Sequence, residues 1–356
     1  MKTILFIEGI YPINSRSQRI ISTLGQEYSV RVVSWDRNNL KEKKEDCFIY
    51  SSTEGYGNKV KKLFGMYNYF KYVKEIFDLE KPEILFVSQW DMLIFGFFLK
   101  NRNVKLVYDN IDMPASTSII IWNLLRFLEK ILLKKCDIMI YASRFYAKNY
   151  IFFEKKTILL ENLPLKSTYK LEDISNHSGK VRLAFVGTIR YYDILKKSMD
   201  VISKINNFEY HFYGTGQDEY RLKKYCEEMQ YKNIFFHGKY NYIDIARIYN
   251  SIDILWAAYP NKDFNVKYAI SNKFYESLIY EKPCFFSCNT KLGDYVDKNK
   301  IGFIIDPYNP KNFFETFNNP DDRIKKCILQ IKNYKVNKKL FWEDEESILL
   351  INMKDN

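Results

Sequence analysis

The chain has 356 residues, of which 47% are hydrophobic and 17% aromatic, so it is long enough to form about two domains with buried cores. This apolar content excludes a disordered protein, and the low counts of 13 Gly and 9 Pro exclude a collagen-like chain. Lys and Arg number 55 against 43 Asp and Glu, and the resulting net charge of +12 favours anionic partners: phosphates, nucleic acid or an anionic membrane surface.

The six cysteines lie far apart and form no CxxC pair, and the chain has three histidines. We therefore predict reduced thiols in a cytoplasmic protein and no metal site. No run of about 18 apolar residues is free of charge, so no membrane-spanning helix is predicted. Glu8 and Pro12 interrupt the apolar N-terminus, which favours a first β-strand over a signal peptide.

Short apolar runs alternate with helical segments along the chain. In order they span residues 2–8, 28–35, 82–89, 104–110, 136–143 and 156–162, and then 181–187, 208–214, 233–238, 251–258, 283–287 and 302–306. Runs that are apolar throughout are typical of parallel strands buried on both faces. Because more than ten such strands are too many for one sheet, we predict an α/β protein with two doubly wound, Rossmann-like domains.

The boundary between the two domains is predicted in the polar segment 163–180. The first domain then spans residues 1–165 and the second 175–330, and we expect a C-terminal helix within 335–356 to pack back on the first domain. Ligands of doubly wound sheets bind at the carboxyl ends of the strands, so the residues that follow each strand are the candidates for function.

In the second half, Gly187 ends a strand, and Arg190 and Lys196 follow it. A glycine turn before a helix lets backbone amides approach an anion, and two cations beside it can bind a diphosphate. Ordinary solvated charges at the start of a helix are the alternative. A second strand ends in Gly214 and Gly216, which indicate either a ligand loop or a plain turn.

The helix that begins near Ser271 carries a further group of polar residues. Ser271 and Asn272 are good N-cap residues, and Glu276 lies one turn into the helix. Glu276 either helps to cap this helix or accepts hydrogen bonds from the two hydroxyls of a ribose, with Lys273 reaching a phosphate.

Three of these segments resemble the donor-binding domain of the retaining, group 4 family of GT-B glycosyltransferases. They are SNKFYESLIYEKPCFFS, FVGTIRYYDILKKSMDVI and FYGTGQDEYRL, and the resemblance extends in consecutive order over residues 180–320. It implies two Rossmann-like domains that face each other across a cleft, a UDP- or GDP-linked sugar donor and no metal cofactor.

The resemblance also implies roles for individual residues. Arg190 and Lys196 would bind the donor diphosphate, Glu276 the ribose, and Asn272 and Lys273 the phosphate or the transferred sugar. Tyr268 replaces a second Glu that the family often has eight positions before the ribose Glu, which leaves the retaining stereochemistry open.

The first half departs further from the family pattern. Its usual paired-glycine loop after the first strand is replaced by residues 10–16, so Asn14, Ser15 and Arg16 are predicted to contact the acceptor instead.

Carboxylates follow two later strands of the first half. Asp91 is a predicted acceptor contact, and Asp109 and Asp112 are predicted to orient an acceptor hydroxyl or take its proton. Capping of loops is the alternative for Asp109 and Asp112.

Two basic, aromatic stretches, residues 58–75 and 119–135, indicate a surface for a lipid-linked acceptor at an anionic membrane. In the second stretch, Asn123, Arg126, Lys130 and Lys134 share one helical face and the rest is apolar. A solvated basic face is the alternative for the first stretch, and a buried core helix for the second.

We therefore predict a hexosyltransferase-like, retaining glycosyltransferase that moves a sugar from a nucleotide donor to a carbohydrate acceptor in cell-surface glycan synthesis. It would work in the cytoplasm, at the inner face of the membrane. Two alternatives stay open: a GT-B sugar-nucleotide epimerase, which would need further acid–base groups, and a nucleic-acid-binding protein, for which the sequence has no recognisable motif.

Overall fold

A computed structural model describes residues 1–42, 46–53, 59–116, 118–170, 179–241, 244–313 and 320–354, without the side chains of 59, 60 and 62. The strands are β1 (Thr3–Glu8), β2 (Ser29–Asp36), β3 (Cys47–Ser51), β4 (Ile84–Ser88), β5 (Lys105–Asn110), β6 (Ile138–Tyr141), β7 (Lys156–Leu159), β8 (Val181–Val186), β9 (Phe208–Tyr213), β10 (Ile234–Gly238), β11 (Ile254–Ala257), β12 (Cys284–Ser287) and β13 (Phe303–Ile305).

The α-helices lie between the strands and after the last of them. They are α1 (Ser15–Leu24), α2 (Lys59–Glu80), α3 (Trp90–Leu99), α4 (Ile119–Leu133), α5 (Tyr192–Ile202), α6 (Glu219–Glu228), α7 (Ile245–Asn250), α8 (Phe264–Tyr268), α9 (Asn272–Ile279), α10 (Lys291–Asn299), α11 (Pro320–Lys335) and α12 (Glu346–Met353).

The chain divides into two compact units. Unit 1 contains residues Met1–Asn162 and Asp344–Asn356, and unit 2 contains Leu163–Glu343. The segment 163–180, predicted as the boundary, lies partly outside the described residues.

Unit 1 is built on a parallel sheet with the strand order β3-β2-β1-β4-β5-β6-β7. Its central strands are apolar and buried on both faces, as the continuous apolar runs predict. The strand β3 was not predicted. This strand pairs with β2 at the edge of the sheet and is only partly buried. Its five residues directly follow a charged segment, so they do not stand out in the sequence as an apolar run.

Unit 2 has a parallel sheet with the order β10-β9-β8-β11-β12-β13. A core cluster that includes Leu183, Phe212, Trp256 and Phe285 lies between this sheet and the helices that cover it. In both units the chain order reverses at one place in the sheet, between β1 and β4 and between β8 and β11. The structure thus has the two doubly wound α/β sheets that the sequence predicts.

The helix α12 belongs to unit 1, although it follows all of unit 2 in the chain. It packs against α1 and β7, with Leu349 and Met353 buried. The hydroxyl of Thr23 on α1 donates a hydrogen bond of 3.0 Å to the carboxylate of Glu346 at the start of α12. Across the described part of the chain, no helix combines the length and the apolar character needed to span a membrane.

Candidate functional site

The carboxyl ends of β8 and β11 are the place where the strand order of unit 2 reverses. Ligands of doubly wound sheets bind at such a point because the loops from the two strands leave in opposite directions and open a crevice. The loop after β8 contains Gly187 and Arg190, Tyr259 follows shortly after β11, and α9 begins at Asn272.

A buried ion pair lies on α9. The ammonium Nζ of Lys273 is 2.5 Å from Oε2 of Glu276, and the two residues are 9% and 5% exposed. The hydroxyl of Tyr249 on α7 donates a short hydrogen bond to the same oxygen. Burial has the largest single effect and lowers the pKa of Lys273, but the charge and hydrogen bond of Glu276 together with the nearby hydroxyls of Tyr240 and Tyr259 outweigh it, so the pKa is raised and Lys273 stays cationic.

The contacts of Glu276 argue against a capping role. The side chain of Ser271 caps α9, because its Oγ accepts a hydrogen bond of 3.2 Å from the backbone N–H of Lys273. Among the residues that the structure describes, Glu276 makes its polar side-chain contacts with Lys273 and Tyr249, which does not support a capping role for it. Asn272, the first residue of α9, is exposed at this helix end.

Arg190 and Lys273 both act electrostatically on Tyr259. Burial raises the pKa of Tyr259, and the positive charges of Lys273 and, more weakly, Arg190 act on its hydroxyl in the opposite direction. The guanidinium of exposed Arg190 lies 4.9 Å from the ring centre of Tyr191, whose ring is 6.2 Å from that of Tyr259. Tyr191 has a positive φ of 73°, unusual for a residue with a side chain, and it precedes α5.

Lys196 has different neighbours. It lies in the second turn of α5, with its Nζ 4.3 Å from the ring centre of Tyr225 on α6. The backbone N–H of Tyr192, at the start of α5, already donates to a carboxylate oxygen of Asp218 at 3.1 Å. Arg190 thus lies against Tyr191 and Lys196 against Tyr225, and a joint diphosphate cradle of the two cations stays a prediction.

Close packing between two loops explains why glycine occupies positions 214 and 216 after β9. A Cβ on Gly214 would lie 1.9 Å from the carbonyl oxygen of Gly187, and one on Gly216 would lie 2.1 Å from that of Ile189. The two loops are also joined by a hydrogen bond of 3.0 Å from the N–H of Ile189 to the carbonyl of Thr215. Of the two open alternatives for Gly214 and Gly216, the structure favours the plain turn: these glycines let one loop pack on the other.

In unit 1 the residues predicted for the acceptor separate into buried and exposed ones. Arg16 and Asp109 form a buried pair, with Nη2 of Arg16 2.7 Å from Oδ1 of Asp109. Asn14 is the N-cap of α1, because its Oδ1 accepts from the N–H of Ser17 at 2.9 Å. Ser15, the first residue of α1, is exposed.

These contacts correct the roles predicted for Arg16 and Asp109. Both side chains are closed off from solvent and satisfied by each other, so the structure assigns them to holding α1 against β5 and not to an acceptor. Asp112 is exposed and Asp91 half-buried, so these two present carboxylates at strand ends to solvent. Oδ1 of Asp91 also accepts from the N–H of Met92 at 3.1 Å.

Glu8 is a residue of this edge that the sequence reasoning missed. It ends β1 and is fully buried, and it accepts hydrogen bonds from Ser17 at 2.5 Å, Asn14 at 2.9 Å and the N–H of Gly9 at 3.0 Å. Burial raises its pKa to about 7 against the lowering effect of these bonds. Its position at the end of the first strand could have identified Glu8 as a candidate from the sequence. Nothing in the sequence indicated the contact of Tyr249 with Glu276.

Residues 170–319 match the profile of the family described as glycosyl transferases group 1. This match covers most of unit 2 and includes Gly187, Arg190, Lys273 and Glu276. No relative among curated proteins matches the sequence of the chain.

Solved structures resemble the chain along its whole length. A sucrose-phosphate synthase from Thermosynechococcus elongatus has a TM-score of 0.72 at 13% identity, over 99% of this chain and 98% of that one. WaaG, a glycosyltransferase involved in lipopolysaccharide biosynthesis, has a TM-score of 0.72 at 11% identity, over 99% and 100%. HepE from Anabaena, solved with UDP and glucose, has a TM-score of 0.71 at 11% identity, over 99% of both chains. Residues 170–319 are therefore similar to the glycosyl transferases group 1 family, and the whole chain has the GT-B fold of the glycosyltransferases that it resembles.

Proposed function

We propose that the chain is a hexosyltransferase that moves a sugar from a UDP- or GDP-linked donor to a carbohydrate acceptor. The observation that carries this proposal is the buried pair of Lys273 and Glu276 at the carboxyl edge of unit 2. The Anabaena relative was solved with UDP and glucose, which supports a nucleotide sugar as the donor.

In this proposal Glu276 binds the ribose of the donor. Lys273 and Tyr249 both contact Oε2 of Glu276. The other carboxylate oxygen, Oε1, would accept a hydrogen bond from a ribose hydroxyl. The N-terminal end of α9, where Asn272 is exposed, favours negative charge through the helix dipole and would lie near the diphosphate.

Arg190 and Lys273 would stabilise the charge that develops on the leaving diphosphate. Fixed cations in a site closed to water stabilise a developing anion more than water does, because they need no reorganisation during the reaction. We therefore propose that these side chains supply the positive charge without a metal ion. The group 4 resemblance supports transfer with retention of configuration.

Unit 1 would bind the acceptor at the carboxyl ends of β1 and β4, between which the strand order reverses. Asp112 and Asp91 supply carboxylates there that can orient an acceptor hydroxyl or take its proton, and Ser15 adds a hydroxyl at the start of α1. This assignment keeps the solvent-facing residues of the predicted set and leaves the buried pair of Arg16 and Asp109 as structural support.

We further propose that unit 1 docks on an anionic membrane through α4, so that the acceptor is lipid-linked. The outward face of α4 is apolar: Ile120 is 78% and Phe127 61% exposed, and Leu124 and Leu128 are also exposed. Lys130 and Lys134 are exposed towards the end of the helix. Apolar side chains flanked by lysines are typical of helices that lie in a membrane interface.

The inner face of α4 carries the buried side chains of Glu129 and Leu133. Arg126 pairs with buried Glu129, whose Oε1 accepts a hydrogen bond of 2.7 Å from the hydroxyl of Tyr150. The alternative of a fully buried helix is thus wrong for α4. The other basic stretch, 58–75, falls partly outside the described residues. We propose that the protein works at the cytoplasmic face of the membrane, in the synthesis of a cell-surface glycan.

A panel of UDP, GDP, ADP, CMP and their sugars, followed by thermal unfolding, tests the donor assignment. A ligand at about 100 times its Kd should stabilise the folded protein by about 2.7 kcal/mol. We expect UDP or GDP and its sugar to raise the Tm, and glycosylated product to form with a lipid-linked acceptor. An epimerised sugar nucleotide formed without acceptor, or no shift with any nucleotide, would contradict the proposal.

A further inference from the structure

Arg37 is a cation at the carboxyl edge of unit 1 to which the preceding sections give no role. It follows β2 directly, and its guanidinium lies 4.4 Å from the ring centre of Trp35. Its Nη2 is 3.7 Å from the point that a Cβ on Gly9 would occupy, so the side chain reaches over the end of β1. Arg37 thus lies beside the carboxyl end of β1, next to the place where the strand order reverses between β1 and β4.

One N–H group of the Arg37 guanidinium has no hydrogen-bond acceptor among the described residues. Its Nε–H is buried and has no hydrogen-bond partner among the residues that the structure describes. A buried N–H that loses its water without gaining an acceptor costs free energy, and the cost is larger for a charged group. This N–H therefore requires an acceptor that the described protein does not supply.

Nearby carboxylates are already engaged. Asp36 accepts hydrogen bonds from the N–H groups of Asn38 and Lys41, both at 3.0 Å, and from the hydroxyl of Ser51 at 3.1 Å. Glu8 is satisfied by the three hydrogen bonds described above and is largely protonated below its raised pKa of about 7. Neither is bonded to Arg37.

We propose that Arg37 binds an anionic group of the acceptor, either a phosphate or the carboxylate of an acidic sugar. Arginine suits this role because its planar fork matches both anions with two parallel hydrogen bonds, and its weak hydration lets it stack on Trp35. This proposal rests on the proposed function, since it takes the edge of unit 1 as the acceptor site.

Two pairs of probes separate the sources of the anion. Geranyl diphosphate is compared with geraniol for a lipid phosphate, and methyl glucuronide with methyl glucoside for a sugar carboxylate. Binding to the full chain is measured by calorimetry or NMR with the donor site saturated by the nucleotide that gives the largest thermal shift. The variants are Arg37→Gln and Arg37→Lys, with Arg102→Gln, an exposed arginine of unit 1, as the matched control.

In one of the two pairs the anion should bind wild-type protein and Arg102→Gln about tenfold to a hundredfold more tightly than its neutral counterpart. Arg37→Gln should abolish this preference, and Arg37→Lys should keep part of it because the charge remains without the fork. Equal preference in Arg37→Gln and wild type, or no preference in either pair, would overturn the proposal. Urea unfolding of each variant establishes that it is folded.

The same experiment keeps this proposal apart from the proposed function. If no nucleotide binds unit 2, the glycosyltransferase assignment fails, and the probe pairs are then measured without nucleotide. An anion preference that depends on Arg37 would in that case stand as an anion site of unit 1. If nucleotide binds but neither anion is preferred over its neutral counterpart, only the proposed role of Arg37 is contradicted.

Discussion

Arg16 holds Asp109 through both carboxylate oxygens: Nε lies 2.9 Å from Oδ2, and Nη2 lies 2.7 Å from Oδ1. Nη1 of Arg16 donates to the carbonyl of Leu160 at 2.8 Å. One guanidinium thus ties α1 to β5 and to the backbone beyond β7. Both side chains are almost completely buried, at 2% and 0% exposure, so the pair is isolated from solvent and salt.

Removing either partner should destabilise unit 1 severely. Arg16→Met or Asp109→Asn leaves a buried group without its partner, and we expect a loss of about 3–5 kcal/mol in the free energy of unfolding. Urea unfolding measures it. The double variant Arg16→Met/Asp109→Asn should lose less than the sum of the two single variants. A stable Asp109→Asn protein with impaired turnover would restore a catalytic role for Asp109.

Glu276→Gln should weaken ribonucleotide binding by about 1.5–3 kcal/mol, because charge-assisted bonds to the ribose become neutral ones. The 2′-deoxynucleotide should lose less, because one of its hydroxyls is already missing. Calorimetry measures the affinities of wild type and Glu276→Gln for the ribonucleotide and the 2′-deoxynucleotide, and these four values give the coupling energy between Glu276 and the 2′-hydroxyl. A coupling energy near zero would falsify the ribose role. Glu281→Gln is a suitable control, since Glu281 pairs with Lys335 near the end of the same helix.

Lys273→Met should destabilise unit 2 by about 3–5 kcal/mol, because the carboxylate of Glu276 stays buried without its cation. Adding Glu276→Gln to this variant should recover part of the loss, since the uncompensated charge is removed. Urea unfolding of the two single variants and of the double variant measures the coupling. Additive losses would show that the 2.5 Å contact between the two side chains contributes little.

The carboxyl group of Glu8 should make stability fall as the pH rises. Its pKa is about 7 in the folded protein against 4.5 ordinarily, so between these values the folded state holds a proton that the unfolded state has lost. Stability should therefore decrease from about pH 4.5 to pH 7 by about 3 kcal/mol and then level off. Glu8→Gln should remove this component, as urea unfolding at pH 5 and pH 8 can show. Equal pH dependence in both proteins would contradict the burial effect.

Charging the outer face of α4 should reduce binding to vesicles that contain anionic lipid. Phe127→Glu removes a side chain whose transfer to an apolar phase is worth about 1.5–3 kcal/mol, so the partition coefficient should fall tenfold or more. Lys134→Ala should cost about 1 kcal/mol, and this effect should fade at high salt. Leu329→Glu, at an exposed apolar position of unit 2, is the control and should bind as wild type does. Unchanged sedimentation of Phe127→Glu with vesicles would exclude α4 as the docking surface.

Gly214→Ala should destabilise unit 2 more than Gly238→Ala. Both glycines have positive φ, 126° and 74°, so both substitutions strain the backbone. Only the Cβ at position 214 would also meet the carbonyl oxygen of Gly187, at 1.9 Å, whereas the one at 238 meets nothing within 4 Å. Thermal unfolding of the two variants compares them, and equal losses would show that the loops can separate at little cost.

The strands and their carboxyl ends were predictable because parallel strands buried on both faces need unbroken apolar runs. The partners of Lys196 were not, because spacing along the chain does not give the direction in which a side chain leaves a helix. Lys196 follows the buried Leu195 on α5 and lies over Tyr225, which is distant in sequence. The same limit applies to Tyr249, whose bond to Glu276 joins α7 to α9.

The buried position of Glu129 on α4 was also beyond the sequence. Its side chain faces inward, where the hydroxyls of Tyr108 and Tyr150 and the guanidinium of Arg126 surround it. These partners come from other elements and from the side chain one turn earlier. A pattern of hydropathy cannot reveal that a buried carboxylate will find such partners.

The place of α12 determines the order in which the chain can complete its fold. Unit 1 begins with the first residues, yet the helix that covers α1 and accepts the bond from Thr23 is synthesised only after the whole of unit 2. Unit 2 has all of its residues as soon as Glu343 has been added. In a chain interrupted before residue 344, unit 2 would therefore be complete while one face of α1 stayed exposed to water. The unit whose synthesis begins first is thus the last to be completed.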